Sequence, residues 1–176
     1  MSAEFASLPL LQGEGRGEDG VVTVVLDTNV LISLYVFADS QFAPLRRHID
    51  AGRWQVMTNE ACLAEFVRVL NYPLFKLSVE TQITVLTAYQ NVARAIVAPA
   101  QSTKKVLLPR CTDTDDQKFL ELARDSGAKC LVTSDKALLK LARRLKQSGM
   151  FRIITPTVAL MEICLADSVA PTKVSV

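Results

Sequence analysis

VVTVVLDTNVLIS, residues 21–33, decides the fold. Its first six residues are β-branched or leucine, the composition of a strand buried on both faces rather than one. Asp27, Thr28 and Asn29 then interrupt the run, and apolar residues resume with helical spacing from Val30. The same grammar returns in KCLVTSDKALLKLARRL, residues 129–145, where a short apolar run ends before Asp135 and an amphipathic helix follows. In a parallel sheet the carboxyl ends of such strands open on one crevice, so this pattern brings Asp27 and Asp135 to the same edge.

Working outward, strand-like runs at 21–26, 55–58, 106–108, 129–133 and 152–155 alternate with helical stretches at 29–38, 42–51, 60–71, 78–95, 115–125, 136–147 and 157–165. This order predicts an α/β protein with a doubly wound parallel sheet of about five strands, covered on both faces. The chain has 176 residues, 49% hydrophobic and 22% charged, which fits one domain with a sizeable core. Four of the seven glycines fall within LLQGEGRGEDG, so residues 1–20 are expected to be a disordered leader, 21–165 the folded domain and 166–176 a tail. The leader lacks a basic start and its LPLL stretch is too short for a signal peptide, and no later run reaches membrane-spanning length. A cytoplasmic protein without a membrane partner is the expectation.

Cys62, Cys111, Cys130 and Cys164 form no CxxC pair and His48 is the only histidine, which leaves no zinc site of the usual spacing. Reduced, mostly buried thiols follow. The same shortage disfavours a Ser-His-Asp or Cys-His enzyme, since nothing around His48 resembles a nucleophile motif. A formal charge of +2 neither requires nor excludes nucleic acid, because binding depends on the local surface.

The acids carry the chemistry. Asp27, Glu65, Asp116 and Asp135 each stand where a strand ends or in the opening turns of a helix, positions that one α/β fold can gather. Two carboxylates about 4 Å apart repel by roughly 4 kcal/mol at an effective dielectric of about 20, so a tight cluster calls for a cation or a shared proton. Each acid also has a plainer explanation. Asp27 suits the N-cap of the helix starting near Thr28, and Asp135 or Ser134 suits that of KALLKLARRL, which by itself predicts no proximity between the acids. In TDTDDQKFLELA, Thr114 and Gln117 have capping-box spacing, which places Asp115 and Asp116 in the first helical turn. Asp116 precedes Phe119 and Leu120 by three and four residues and so falls on the inward stripe. Glu65 borders the apolar face of NEACLAEFVRVL, and pattern alone leaves Glu60 as its competitor.

Together these segments resemble the PIN-domain nucleases, especially the bacterial branch that holds the toxins of VapBC-type toxin–antitoxin systems. VVLDTNVLIS resembles the opening strand and first acid, TNEACLAEFVRVL the helix of the second, DTDDQKFLELARDSGAKCLVTSDKALL the third and fourth, and IITPTVALME the closing segment. By position, the resemblance makes Asp27, Glu65, Asp116 and Asp135 the four catalytic and metal-binding acids, with Asn29, Thr133 and Ser134 as supporting polar residues. Glu60 does not match. Thr112 and Thr114 replace an Arg and a Pro common around Asp113, and Ala137 stands where a second acid often follows Asp135. The resemblance implies a three-layer α/β/α sandwich, cleavage of RNA phosphodiester bonds with Mg²⁺ or Mn²⁺, an antitoxin protein as partner and a homodimer. Hard divalent cations do prefer carboxylate oxygens, and such a site needs no histidine base.

Lys136, Lys140 and Arg143 recur at i, i+4 and i+7 after Asp135, with Arg144 alongside, which places a basic face near the acids for an RNA backbone or simply for solvent. Arg46, Arg47, Lys104, Lys105 and Arg110 are weaker candidates. Two other functions fit parts of the pattern. A haloacid-dehalogenase-type phosphatase also places Asp after its first strand, but its Asp-x-Asp pair would need an acid where Asn29 stands, and a neutral amide cannot transfer that proton. A non-catalytic RNA- or protein-binding module on the same fold is the other.

Overall fold

The computed structural model describes residues 21–97 and 106–169. Strands β1 (Val22–Leu26), β2 (Trp54–Thr58), β3 (Ala93–Ala95), β4 (Cys130–Val132) and β5 (Arg152–Ile154) form one sheet in the order β3-β2-β1-β4-β5, with every pairing parallel. After β1 the chain builds outward through β2 and β3, then crosses to the far side of β1 for β4 and β5. The order therefore reverses between β1 and β4, which is the switch point where doubly wound sheets open a crevice.

Period-two alternation sorts β1 between two cores. Val24 and Leu26 face one layer with Val56, Val132 and Ile154, while Val25 faces the other with Leu131 and Ile153. Helices α1 (Thr28–Leu31), α2 (Ala43–Asp50), α3 (Glu60–Leu70), α4 (Val79–Gln90) and α8 (Pro156–Val169) supply the first layer. Helices α5 (Gln117–Asp125), α6 (Lys136–Leu139) and α7 (Ala142–Gln147) supply the second through Phe119, Leu120, Leu122, Ala123, Leu138 and Leu145. The sheet is thus covered on both faces in a three-layer α/β/α sandwich, as its mostly apolar central strands require. Among the described residues no helix is long and apolar enough to cross a membrane.

Gly127 ends α5 with a positive φ of 63°, as the Gly127 and Ala128 amides bond back to the Arg124 and Ala123 carbonyls. That turn reverses the chain directly into β4.

Several boundaries differ from the sequence expectation. The third strand is Ala93–Ala95, not 106–108: α4 stops at Gln90, and Ala93 and Ala95 pair with Val56 and Thr58. Val106 and Leu107 instead lie exposed, Leu107 at 91%. The helix after Asn29 runs on from α1 into a π-helical stretch, Ile32–Val36, in which the Phe37 amide bonds to the Ile32 carbonyl five residues back. The expected helix at 136–147 is two short ones broken between Leu139 and Ala142, and α8 continues through Val169, past the expected tail boundary. The expected leader, the last residues of the tail, Lys104 and Lys105 lie outside the described residues.

Phe66 anchors the first core, fully buried on α3 with its ring edge-on to Tyr89 at 5.2 Å between centroids. Phe66→Ala should cost about 3–5 kcal/mol of stability, measured as a lower urea midpoint. A loss under about 1 kcal/mol would show that the layer repacks around the missing ring.

Candidate active site

The carboxyl ends of β1 and β4 lie side by side because Leu26 pairs with Val132, and the Asp27 amide donates to the Val132 carbonyl at 3.0 Å. Asp27 is therefore the first residue beyond its strand and only 2% exposed. Its Oδ2 accepts the Thr133 hydroxyl at 2.7 Å, and its Oδ1 accepts the Asn29 amide at 3.4 Å, the latter capping α1. The same Thr133 oxygen accepts the Asp135 amide at 2.9 Å. One buried hydroxyl thus ties the first acid to the backbone of the fourth across the switch point.

Asp135 caps α6 in turn, its Oδ1 taking the Ala137 and Leu138 amides at 2.6 and 3.2 Å. Among the described residues no hydrogen bond engages its Oδ2. The capping roles expected from sequence are real for both acids, and the fold nevertheless brings the two together.

Asp116 occupies the N-cap position of α5, but its side chain makes no capping hydrogen bond. The capping box expected from Thr114 and Gln117 does not form. Gln117 turns its Oε1 to the Cys111 amide at 2.8 Å, and Asp113 accepts the Asp115 amide at 2.9 Å, so the loop is built from its own side chains and the helix starts at Gln117. Asp116 is half-buried, whereas Asp113 and Asp115 are exposed.

Glu65 projects from α3 and pairs with the Lys118 ammonium of α5. Glu60 is exposed in the first turn of the same helix, where Asn59 is the cap. Lys118 had no assigned place in the sequence reading. The signal was present in its position beside the inward Phe119 and two residues after Asp116, but a lysine in an amphipathic helix ordinarily reads as solvated.

Electrostatics links the four acids. Burial pushes the Asp27 carboxyl above its ordinary value, the Thr133 and Asn29 hydrogen bonds pull it partly back, and the charges of Glu65 and Asp135 push it up again. Burial and then the charges of Asp27, Asp135, Asp113 and Glu65 push Asp116 up to about 6. The four carboxylates therefore sit in one another's fields without a common ligand point, because among the described residues no three His, Cys, Asp or Glu side chains group closely enough to hold a metal ion. Of the supporting residues, Thr133 is buried within this set, while Asn29 and Ser134 are exposed.

Lys136, Lys140, Arg143 and Arg144 are all exposed on α6, α7 and the turn between them, and among the described residues none has an ion-pair partner. Cys62, Cys111 and Cys130 are buried free thiols and Cys164 is an exposed one.

A family model for the PIN domain matches residues 23–137, a span that contains all four acids. No curated protein matches the chain.

Folded Asp116 holds its proton up to about pH 6, while the unfolded chain releases it near 3.8. Between those values the folded state binds more protons, so this group's contribution to stability is present below the window and lost as pH rises through it. In EDTA, Asp116→Asn should melt higher than the unmodified chain at pH 7 and close to it at pH 4, read by circular dichroism. An offset that does not depend on pH would mean that Asp116 is not crowded by the other acids.

Proposed function

The chain belongs to the PIN-domain family, whose members are usually nucleases, and from that premise we propose that it is an Mg²⁺- or Mn²⁺-dependent endoribonuclease acting through Asp27, Glu65, Asp116 and Asp135. The observation that carries this reading is the mutual electrostatic crowding of four carboxylates from four separate chain segments at the sheet's switch point. An all-carboxylate donor set suits a hard divalent cation, and a cation relieves the repulsion that raises Asp27 and Asp116. When bound, the ion would neutralise developing phosphate charge and lower the pKa of a water.

The residues divide the remaining work by how firmly each is held. Asp27 is fixed by Thr133 and by its own cap, so it presents a rigid carboxylate. Asp135 is fixed through Oδ1 and offers Oδ2. The Asp116 side chain makes no hydrogen bond among the described residues and can turn toward the other two. Glu65, across the crevice on α3, joins them as a ligand or orients the attacking water. Thr133 acts through Asp27, while Asn29 and Ser134 line the rim. Lys136, Lys140, Arg143 and Arg144 extend away from Asp135 on exposed helix surface, as a phosphate backbone would require.

The toxin role, an antitoxin partner, a homodimer and a cytoplasmic location complete the proposal, supported by the likeness of the LDTN and TSDKALL segments to that branch. An exposed apolar row on α8, Val158, Met161 and Leu165, is in keeping with a protein partner.

RNA cleavage should require Mg²⁺ or Mn²⁺, and Asp27→Asn should lower it by at least about 10²-fold with the fold intact, since Asn keeps the shape and loses the charge. Asp116→Asn should behave alike and Asp115→Asn should be nearly neutral, because Asp115 is exposed and lies about 100° away around the turn. Cleavage by rigorously purified protein in EDTA would sink the metal mechanism, and release of phosphate from a monoester would favour the phosphatase.

A separate measurement addresses the basic surface. Replacing both Lys140 and Arg143 with Ala should weaken RNA binding and reduce the salt slope by about 1 to 2. An unchanged slope would return these residues to the role of solvated surface.

A further inference from the structure

Lys118 is the one cation drawn into the acid cluster among the described residues. Its ammonium pairs with Glu65 Oε2 from α3 and also donates to the Asp115 backbone carbonyl, which precedes Asp116. The Lys118 and Glu65 side chains are 20% and 15% exposed, so the pair is largely desolvated. The nitrogen lies 5.2 Å from the centre of the Phe119 ring, which adds a further contact from α5. Its charge is felt by the buried Cys62 thiol on α3, together with those of Glu65 and Asp27. Lys118 therefore bridges the second-acid helix to the third-acid loop.

We propose that Lys118 is a built-in counter-ion that reserves Glu65 when no metal is bound and competes with the divalent cation for the site. The inference rests on the metal-nuclease reading and deepens it by assigning a control on metal loading. The physical reasoning has two parts. A carboxylate paired with an ammonium in a poorly hydrated place is a weak ligand until the pair opens, and a fixed positive charge beside the acids opposes the arrival of a second cation. In exchange, the ammonium offsets repulsion that would otherwise strain the metal-free fold, holding α3 and α5 together across the crevice. Lys118 is thus a positioning residue acting through Glu65.

The test is Mn²⁺ binding to the full chain by titration calorimetry, with thermal unfolding in EDTA, for the unmodified protein, Lys118→Met, Lys118→Gln and Lys118→Arg, with Asp27→Asn as the site control. The neutral variants should bind Mn²⁺ tighter by roughly tenfold while melting lower in EDTA, and Lys118→Arg should stay within about twofold of the unmodified protein. A lysine that merely supported the fold would leave Mn²⁺ affinity unchanged or weaken it. Either of those results, in whichever neutral variant folds, overturns the proposal while Asp27-dependent Mn²⁺ binding keeps the nuclease reading standing. Absence of Asp27-dependent binding in every variant would overturn both.

Discussion

A carboxylate placed 2% exposed at the end of a central strand must be solvated by the protein itself, and the Thr133 hydroxyl at 2.7 Å supplies much of that solvation. The bond exists only because β1 and β4 pair in parallel, with Leu26 beside Val132, so that the residues following each strand emerge together. Without the hydroxyl, Asp27 would keep the weak Asn29 amide contact and face the fields of Glu65 and Asp135 with little to offset its burial. The same oxygen fixes the Asp135 amide, so the geometry of two acids follows from one side chain. Strand pairing, burial and acid placement are therefore one constraint seen at three scales.

Capping and catalysis are usually weighed as rival explanations for an Asp at a helix start, and here they are compatible. Asp135 gives both amide bonds to one oxygen, which leaves the other available, and Asp27 spends its second oxygen on Thr133. Asp116 is the exception: it stands at a cap position and caps nothing, and it is pushed up to about 6 by burial and the surrounding acids. An N-cap Asp ordinarily gains about 1 kcal/mol from its bond to the helix amides, but that bond needs extended backbone, and Asp116 is helical at φ −81° and ψ −11°.

What was legible in the sequence follows the strength of the local signal. VVTVVL could only be a strand buried on both faces, and its partner CLV was equally plain, so the switch point and the positions of Asp27 and Asp135 followed directly. Ala93–Ala95 escaped because three residues centred on an exposed Arg94, at the sheet edge beyond a long helix, carry too little apolar alternation to announce a strand. Val106–Leu108 has the β-branched and leucine composition of a strand, but among the described residues no strand pairs with it. The capping box fails because the Gln117 side chain bonds instead to the Cys111 amide six residues earlier, within the same loop, a partner that the spacing rule does not contain. Lys118 was missed because its pairing with Glu65 joins helices 53 positions apart in the chain, and a charge reads as solvated until its partner is known.

Charge distribution explains why such a site persists without unravelling its own fold. The acids are held by different devices. Asp27 and Asp135 are clamped by backbone and Thr133, Glu65 is paired with Lys118, and the Asp116 side chain, without a hydrogen bond among the described residues, is pushed toward protonation. Each of these devices lowers the cost of holding negative charges near one another in a partly dry crevice, where leaving all four uncompensated would be expensive on the scale of domain stability. The devices also differ in how readily they yield. Bonds to strand-end backbone persist as long as the sheet does, whereas an ion pair between two helices can open without disturbing either core, so the adjustable half of the site is the α3–α5 side and the rigid half is the edge of the sheet.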